Sequence, residues 1–175
     1  MSTTHFARLV GDRVVGVVET DTAPGGDWHP LQAWPGWAAR PSPHAQPHLV
    51  AGAIVWLDPR TLPEARAARI QALRDAREAA ITAGFTWDGS PFDAAQLSQT
   101  RLLGLYISSQ SPSFAPQPWR LADNTWRTLT AACVAGVCAA LQAHVRAQFA
   151  QFAAREAAVN AASSIAEIDA VGWEA

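Results

Sequence analysis

The sequence predicts an α+β protein: a small N-terminal antiparallel β unit, then a mainly helical module with two short β-hairpins and one long helix. Three observations carry this expectation. β-branched runs flank Gly11-Asp12 near the N-terminus, which is a hairpin pattern with suitable turn chemistry. Asp88-Gly89 and Asp123-Asn124 stand between short aromatic runs, and both dipeptides tolerate the positive φ angles of tight turns. Ala-rich segments with helical spacing surround those two hairpins.

From Phe6 to Thr20 the two β-branched runs read as paired strands. Between Asp21 and His48 periodicity is lost, and Trp28-His29-Pro30, Trp34-Pro35-Gly36-Trp37 and Pro41-Ser42-Pro43 predict an irregular loop. Leu49 to Leu57, with Gly52 inside it, reads as a third strand that Asp58-Pro59-Arg60 ends. The β unit with its Trp/Pro-rich loop therefore spans 1–58, and the helical module spans 61–175 with hairpins near 85–92 and 119–129.

Thr61 or Leu62 with Pro63 opens the first helix, and Gly84 closes it as a C-cap glycine would. Its apolar stripe runs through Ile70, Leu73, Ala76, Ala80 and Ile81, which suits packing on one side. Asp93 is expected to cap a second helix reaching Ser109. Leu97, Leu102, Leu103, Leu105, Tyr106 and Ile107 are spread around several of its faces, which predicts a central buried helix. Ser111 to Pro118, with three prolines, reads as a loop. Thr130 then caps the longest helix, to about Val159, on which Val134, Cys138, Leu141, Val145, Phe149 and Phe152 follow one another by three or four residues. That line serves as a core face or as a coiled-coil seam. Ser164-Ile165-Ala166-Glu167 reads as a capping box that starts a last short helix.

A net charge of -2 supplies no pull toward nucleic acid or an anionic membrane. Charged residues are 16% and hydrophobic ones 49%, so part of the apolar surface is expected to be covered by other subunits. There is no signal-like N-terminus and no apolar run of membrane-spanning length, so synthesis in the cytoplasm and no membrane insertion are expected. Cys133 and Cys138, five apart on one helix, point apart and read as small buried hydrophobes.

No metal, cofactor or catalytic set is predicted. His29 has no ligand at a suitable spacing. His44 and His48 lie four apart but beside Pro43 and Pro47, which argue against a helical metal pair. His144 reads as a solvated or interface residue. Gly25-Gly26 is followed by no lysine, so it is not a phosphate loop, and no nucleophile elbow occurs. Asp88 and Asp93 are explained by a turn and a cap before any glycosidase pair is invoked. Trp119-Arg120 and Trp126-Arg127 look like a nucleic-acid platform, but cross-strand Trp packing on one hairpin accounts for them. The residues singled out for partner binding are Trp28, His29, Trp34 and Trp37 in the loop, whose three indoles serve equally as a docking patch or as a loop folded over the β unit, and Val134, Leu141, Val145, Phe149 and Phe152 on the long helix.

Ala-Arg-Glu-Ala-Ala-Ile-Thr-Ala-Gly-Phe-Thr-Trp-Asp-Gly and Trp-Arg-Leu-Ala-Asp-Asn-Thr-Trp-Arg-Thr-Leu-Thr-Ala resemble an uncharacterised domain common at the C-terminus of small bacteriophage tail proteins. The resemblance covers roughly residues 65 to 174. The order of hairpin, Trp28-His29-Pro30 loop and strand also looks like the β element that opens small tail-fibre-associated phage proteins. This resemblance implies a non-enzymatic tail-tip or tail-fibre component with phage tail proteins as partners. It further implies a homo-oligomer, a trimer first, and a location in the virion tail. The alternative it implies is a tail-fibre assembly chaperone that leaves before the particle matures. It brings no catalytic residues.

Overall fold

The computed structural model describes residues 4–11, 13–20, 22, 24–25, 28–30, 44–51 and 53–173. Antiparallel strands come first, then helices and hairpins, as the α+β expectation requires. The chain divides into two compact units, residues 1–65 with 164–166, and 66–163 with 167–175.

The first unit is a five-stranded sheet in the order β3-β1-β2-β4-β5. Strands β1 (Thr4–Val10) and β2 (Arg13–Thr20) form the expected hairpin, with a bulge at Arg8/Leu9. The loop expectation is corrected at Trp28–Pro30, which forms β3 and pairs antiparallel with β1. Backbone pairing with an existing strand leaves no periodic signal in three residues, one of them proline. A second correction concerns the expected strand Leu49 to Leu57. It is a hairpin of β4 (Gln46–Val50) and β5 (Ala53–Leu57), turning at Ala51 with φ 49°. After β5 the Asp58 carboxylate accepts from the backbone N–H of Arg60 at 3.0 Å and from its guanidinium at 2.7 Å, folding the chain out of the sheet. Phe6, Ala7 and Ala45 are buried.

Helix α1 (Leu62–Thr82) begins with a capping box that the sequence reading passed over. The Glu64 carboxylate accepts from the Thr61 N–H at 2.7 Å and from its hydroxyl at 2.8 Å. Leu73 and Ile81 on the expected stripe are buried. Gly84 follows at φ 101°, and a Cβ there would lie 2.7 Å from the Phe92 carbonyl oxygen. Only glycine allows both the left-handed turn and the close approach.

β6 (Phe85–Trp87) and β7 (Ser90–Phe92) form the first short hairpin, with Asp88 and Gly89 at φ 48° and 72°. β8 (Gln117–Arg120) and β9 (Trp126–Leu129) form the second. Its register pairs Trp119 with Arg127 and Arg120 with Trp126, so the two indoles lie on opposite faces and the expected cross-strand Trp packing does not occur. The intervening turn has an odd number of residues, which offsets the two Trp-Arg pairs by one.

Helix α2 (Gln96–Ser109) is not the buried centre. Leu102 is fully buried, but Leu97, Leu103 and Ile107 are 60, 58 and 65% exposed. Nor does Asp93 cap its first turn directly. Its carboxylate accepts from the Ala95 N–H at 2.9 Å and from the Ser98 hydroxyl, and Ala95 is the N-cap residue.

Helix α3 (Ala131–Ala161), capped by the Thr130 side chain on the Cys133 N–H, is about 46 Å long at 1.5 Å per residue. Its first half closes a core of Phe92, Leu102, Leu121, Leu129, Val134 and Val137, against which Phe85, Trp87 and Trp119 pack. Gly136 lies so close to the Trp87 indole that a Cβ would come within 2.6 Å of a ring carbon. The second half runs antiparallel to α1, with Ala80 and Ile81 meeting His144, Arg77 over Phe149 and Phe152, and Arg66 bonded to Ala162. Helix α4 (Ile165–Ala170) follows, and the Glu167 carboxylate accepts from the Ser163 N–H at 2.7 Å, one residue before the expected start of the box.

Two glycine substitutions in helices should have opposite signs. Alanine is the better helix former by about 1 kcal/mol, and at Gly104, where a Cβ meets nothing, Gly104→Ala should raise stability by up to that amount. At Gly136 the methyl group must displace the indole, so Gly136→Ala should lower stability by about 1–3 kcal/mol. Urea unfolding of both variants checks the pair.

Three exposed or partly exposed carboxyls are held below the usual carboxylate range. The Thr61 N–H and then its hydroxyl do this for Glu64, the Ser98 hydroxyl and then the Ala95 N–H for Asp93, and the Thr125 hydroxyl and N–H for Asp123. Depressed folded values stabilise above the unfolded pKa near 4 and stop doing so as pH falls through the folded values. Urea midpoints should therefore fall as pH is lowered below about 4, and Ser98→Ala should shift the Asp93 carboxyl upward when its titration is followed by NMR.

Candidate functional site

The residues singled out in the sequence fall in both units. Trp28 stands in one row with Arg8 and Gly16 across three strands. Its indole edge lies 3.4 Å from where a Gly16 Cβ would be, so this half-buried side chain packs on its own sheet. His29 pairs with Ala7 and is exposed. Trp34 and Trp37 lie outside the described residues. The β4–β5 register places Val50, Val55 and Leu57 on one face, where all three are exposed.

In the second unit the line on α3 divides. Val134 and Phe152 are buried, Leu141 packs on the core, and Val145 is half-buried. Phe149 is 48% exposed, yet the Arg77 guanidinium sits 4.4 Å from its ring centroid. A guanidinium over a ring face is a favourable cation–π arrangement that also shields the ring from water.

His144 corrects the expectation of a solvated residue. Its Nε2 lies 3.2 and 3.1 Å from the Ala80 and Ile81 carbonyl oxygens, and its ring stacks on Phe85. Carbonyls only accept, so Nε2 carries the proton and supplies a donor to the last turn of α1. Arg127 was likewise missed. It donates to the Ser90 hydroxyl at 2.8 Å, pairs with the Asp88 carboxylate and lies over the Trp87 ring, clipping one hairpin to the other. Neither partnership leaves a local signal, because the residues concerned are far apart in sequence.

Between α2 and α3 lies an apolar trough of about 280 Å³ lined by Leu102, Leu103, Tyr106, Cys138 and Leu141, with Gln99 and Gln142 at its margin. It continues past Val145 to Arg146. A second hollow, lined by Asp93, Ser98, Arg101, Arg120 and Asn124, is polar. Its Asp93 carboxylate is already taken up by Ser98 and Ala95. Among the described residues no three His, Cys, Asp or Glu side chains cluster as metal ligands, and no helix is long and apolar enough to cross a membrane. His48 lies in β4 and His44 precedes it, so the two share no helix.

The cysteines are unlike one another, and both are only half-buried where the sequence reading buried them. Hydrogen bonding from the Thr130 hydroxyl, 3.2 Å from the sulfur, and then from the Thr130 backbone holds the Cys133 thiol below its ordinary value. Burial pushes the Cys138 thiol up, and that thiol faces the Leu102 carbonyl.

A family model described as Domain of unknown function (DUF4376) matches residues 64–172. No curated protein matches the chain, and no solved structure does.

The thiolate is the reactive form, so Cys133 should be alkylated by iodoacetamide faster than Cys138 at pH near 8. Thr130→Val should slow Cys133 and Thr130→Ser should restore it. Peptide mapping over a time course reads both rates.

Proposed function

This chain belongs to the DUF4376 family, whose description assigns no function, and we propose that it is a non-enzymatic bacteriophage or prophage tail protein that acts through protein contacts. The observation that carries this reading is the set of large apolar side chains the second unit leaves uncovered. Leu97, Leu103 and Ile107 on α2 and Trp126 on β9 are 58 to 68% exposed. Scattered apolar residues are ordinary on a surface, but the exposed Leu103 and Tyr106 line an apolar trough and so form part of one contact surface. The resemblance of the 65–174 segment to tail proteins supplies the setting, and a tail-tip or fibre-associated virion component is the first form of the proposal.

The trough favours a second form, a tail-fibre assembly chaperone. A half-open apolar groove suits a protein that takes up a segment of a folding partner and releases it later. Mass spectrometry of purified particles separates the two. A copy number that is a multiple of three or six is expected for the virion component. Absence from particles, with abundance in the lysate, would overturn that form and leave the chaperone.

A further inference from the structure

The trough between α2 and α3 has a shape and a charge that specify its occupant. It extends along α3 from Ala135 to Arg146, about 16 Å or three helical turns. The hollow of about 280 Å³ and the adjoining one of about 400 Å³ share Gln99, Leu141 and Gln142, so they form one continuous depression. Leu103 and Tyr106 stand on its α2 side, 58 and 39% exposed. Arg146 is the single charged side chain that lines it. Its Nε reaches only the Gln142 carbonyl at 3.4 Å, and among the described residues no carboxylate pairs with it.

We propose that this trough docks an amphipathic helix of a partner protein, with apolar side chains seated between α2 and α3 and a carboxylate on Arg146. Its length along α3 matches a helix of about three turns presenting residues at three- and four-residue intervals. The lone cation at one end selects an acidic terminus on that helix. A second copy of the chain presenting the same face does not meet this requirement, because the face offers arginine and no acid. The proposal deepens the protein-contact reading above and rests on it by naming the chemistry of the partner. Absence of the chain from particles would leave the peptide measurement below untouched.

The test uses the full chain and labelled amphipathic helical peptides with leucine at three- and four-residue intervals. The peptides are identical except for pairs of glutamate, glutamine or lysine at both ends. By fluorescence anisotropy the glutamate peptide should bind about fivefold more tightly than the glutamine peptide, and the lysine peptide least well. Arg146→Gln, at an exposed position, should bring the glutamate peptide to the level of the glutamine one, as should 1 M salt. Ala139→Glu, also exposed and lining the trough, should weaken all three. Equal binding of the three peptides, no binding at all, or a preference that survives Arg146→Gln would overturn the proposal. So would sedimentation showing a self-associated chain that Ala139→Glu converts to a monomer, since the occupant would then be a second copy.

Discussion

The second unit depends on the contact between the Trp87 indole and the backbone of α3 at Gly136. A helix with any side chain at that position would hold the ring away by the width of a methyl group. With glycine there, Trp87 lies on the helix, meets Phe92 edge-on at 6.2 Å between ring centroids and carries the Arg127 guanidinium at 4.8 Å. One side chain thus joins the first hairpin, the second hairpin and the long helix. The turn at Asp88 that places Trp87 is itself held by Arg127, so the two hairpins fix each other.

Around that contact α3 acts as a spine with two different halves. The half near Val134 and Val137 is covered by hairpins and by Leu102 of α2. The half beyond His144 is covered by α1, whose terminal carbonyls receive the imidazole and whose Arg77 lies over two phenylalanine rings. From Ala135 to Arg146, α2 does not fill the space beside α3, and the trough is what remains. It is therefore a product of how the helices are shared out along α3. The outer side of α2 stays exposed because the helix meets the core through Leu102 and Leu105.

Local chemistry in the sequence was a good guide wherever structure is local. Gly84, Asp88-Gly89, Asn124 and Thr130 each force a turn or a cap through their own backbone or side chain, and each does so in the fold. The stripe on α1 was legible for the same reason, because a helix face follows from spacing alone. Other features require knowledge of what lies opposite. The six apolar residues around α2 suggested burial on all sides, but only Leu102 found a complete set of neighbours. Trp119 and Trp126 looked like partners, but the turn length placed them back to back. At the candidate site, Leu141 and Val145 were picked out as a helical line, while the facing wall of Leu103 and Tyr106 was assigned to the interior. Trp28 was singled out as part of a loop that either docks a partner or folds over the β unit, and Gly16 two strands away gives it a seat on the sheet.

The clip between Arg127 and the Asp88 turn bears on how the molecule meets anything that touches it. Arg127 sits in β9, immediately before α3, and Asp88 in the turn between β6 and β7. The clip closes the intervening chain, which includes all of α2, into a loop tied at both ends. Within that loop α2 is already folded and packed through Leu102, so it has little freedom left to lose when its outer face is covered. Association at that face therefore forfeits less conformational entropy than it would on a segment that folds as it binds.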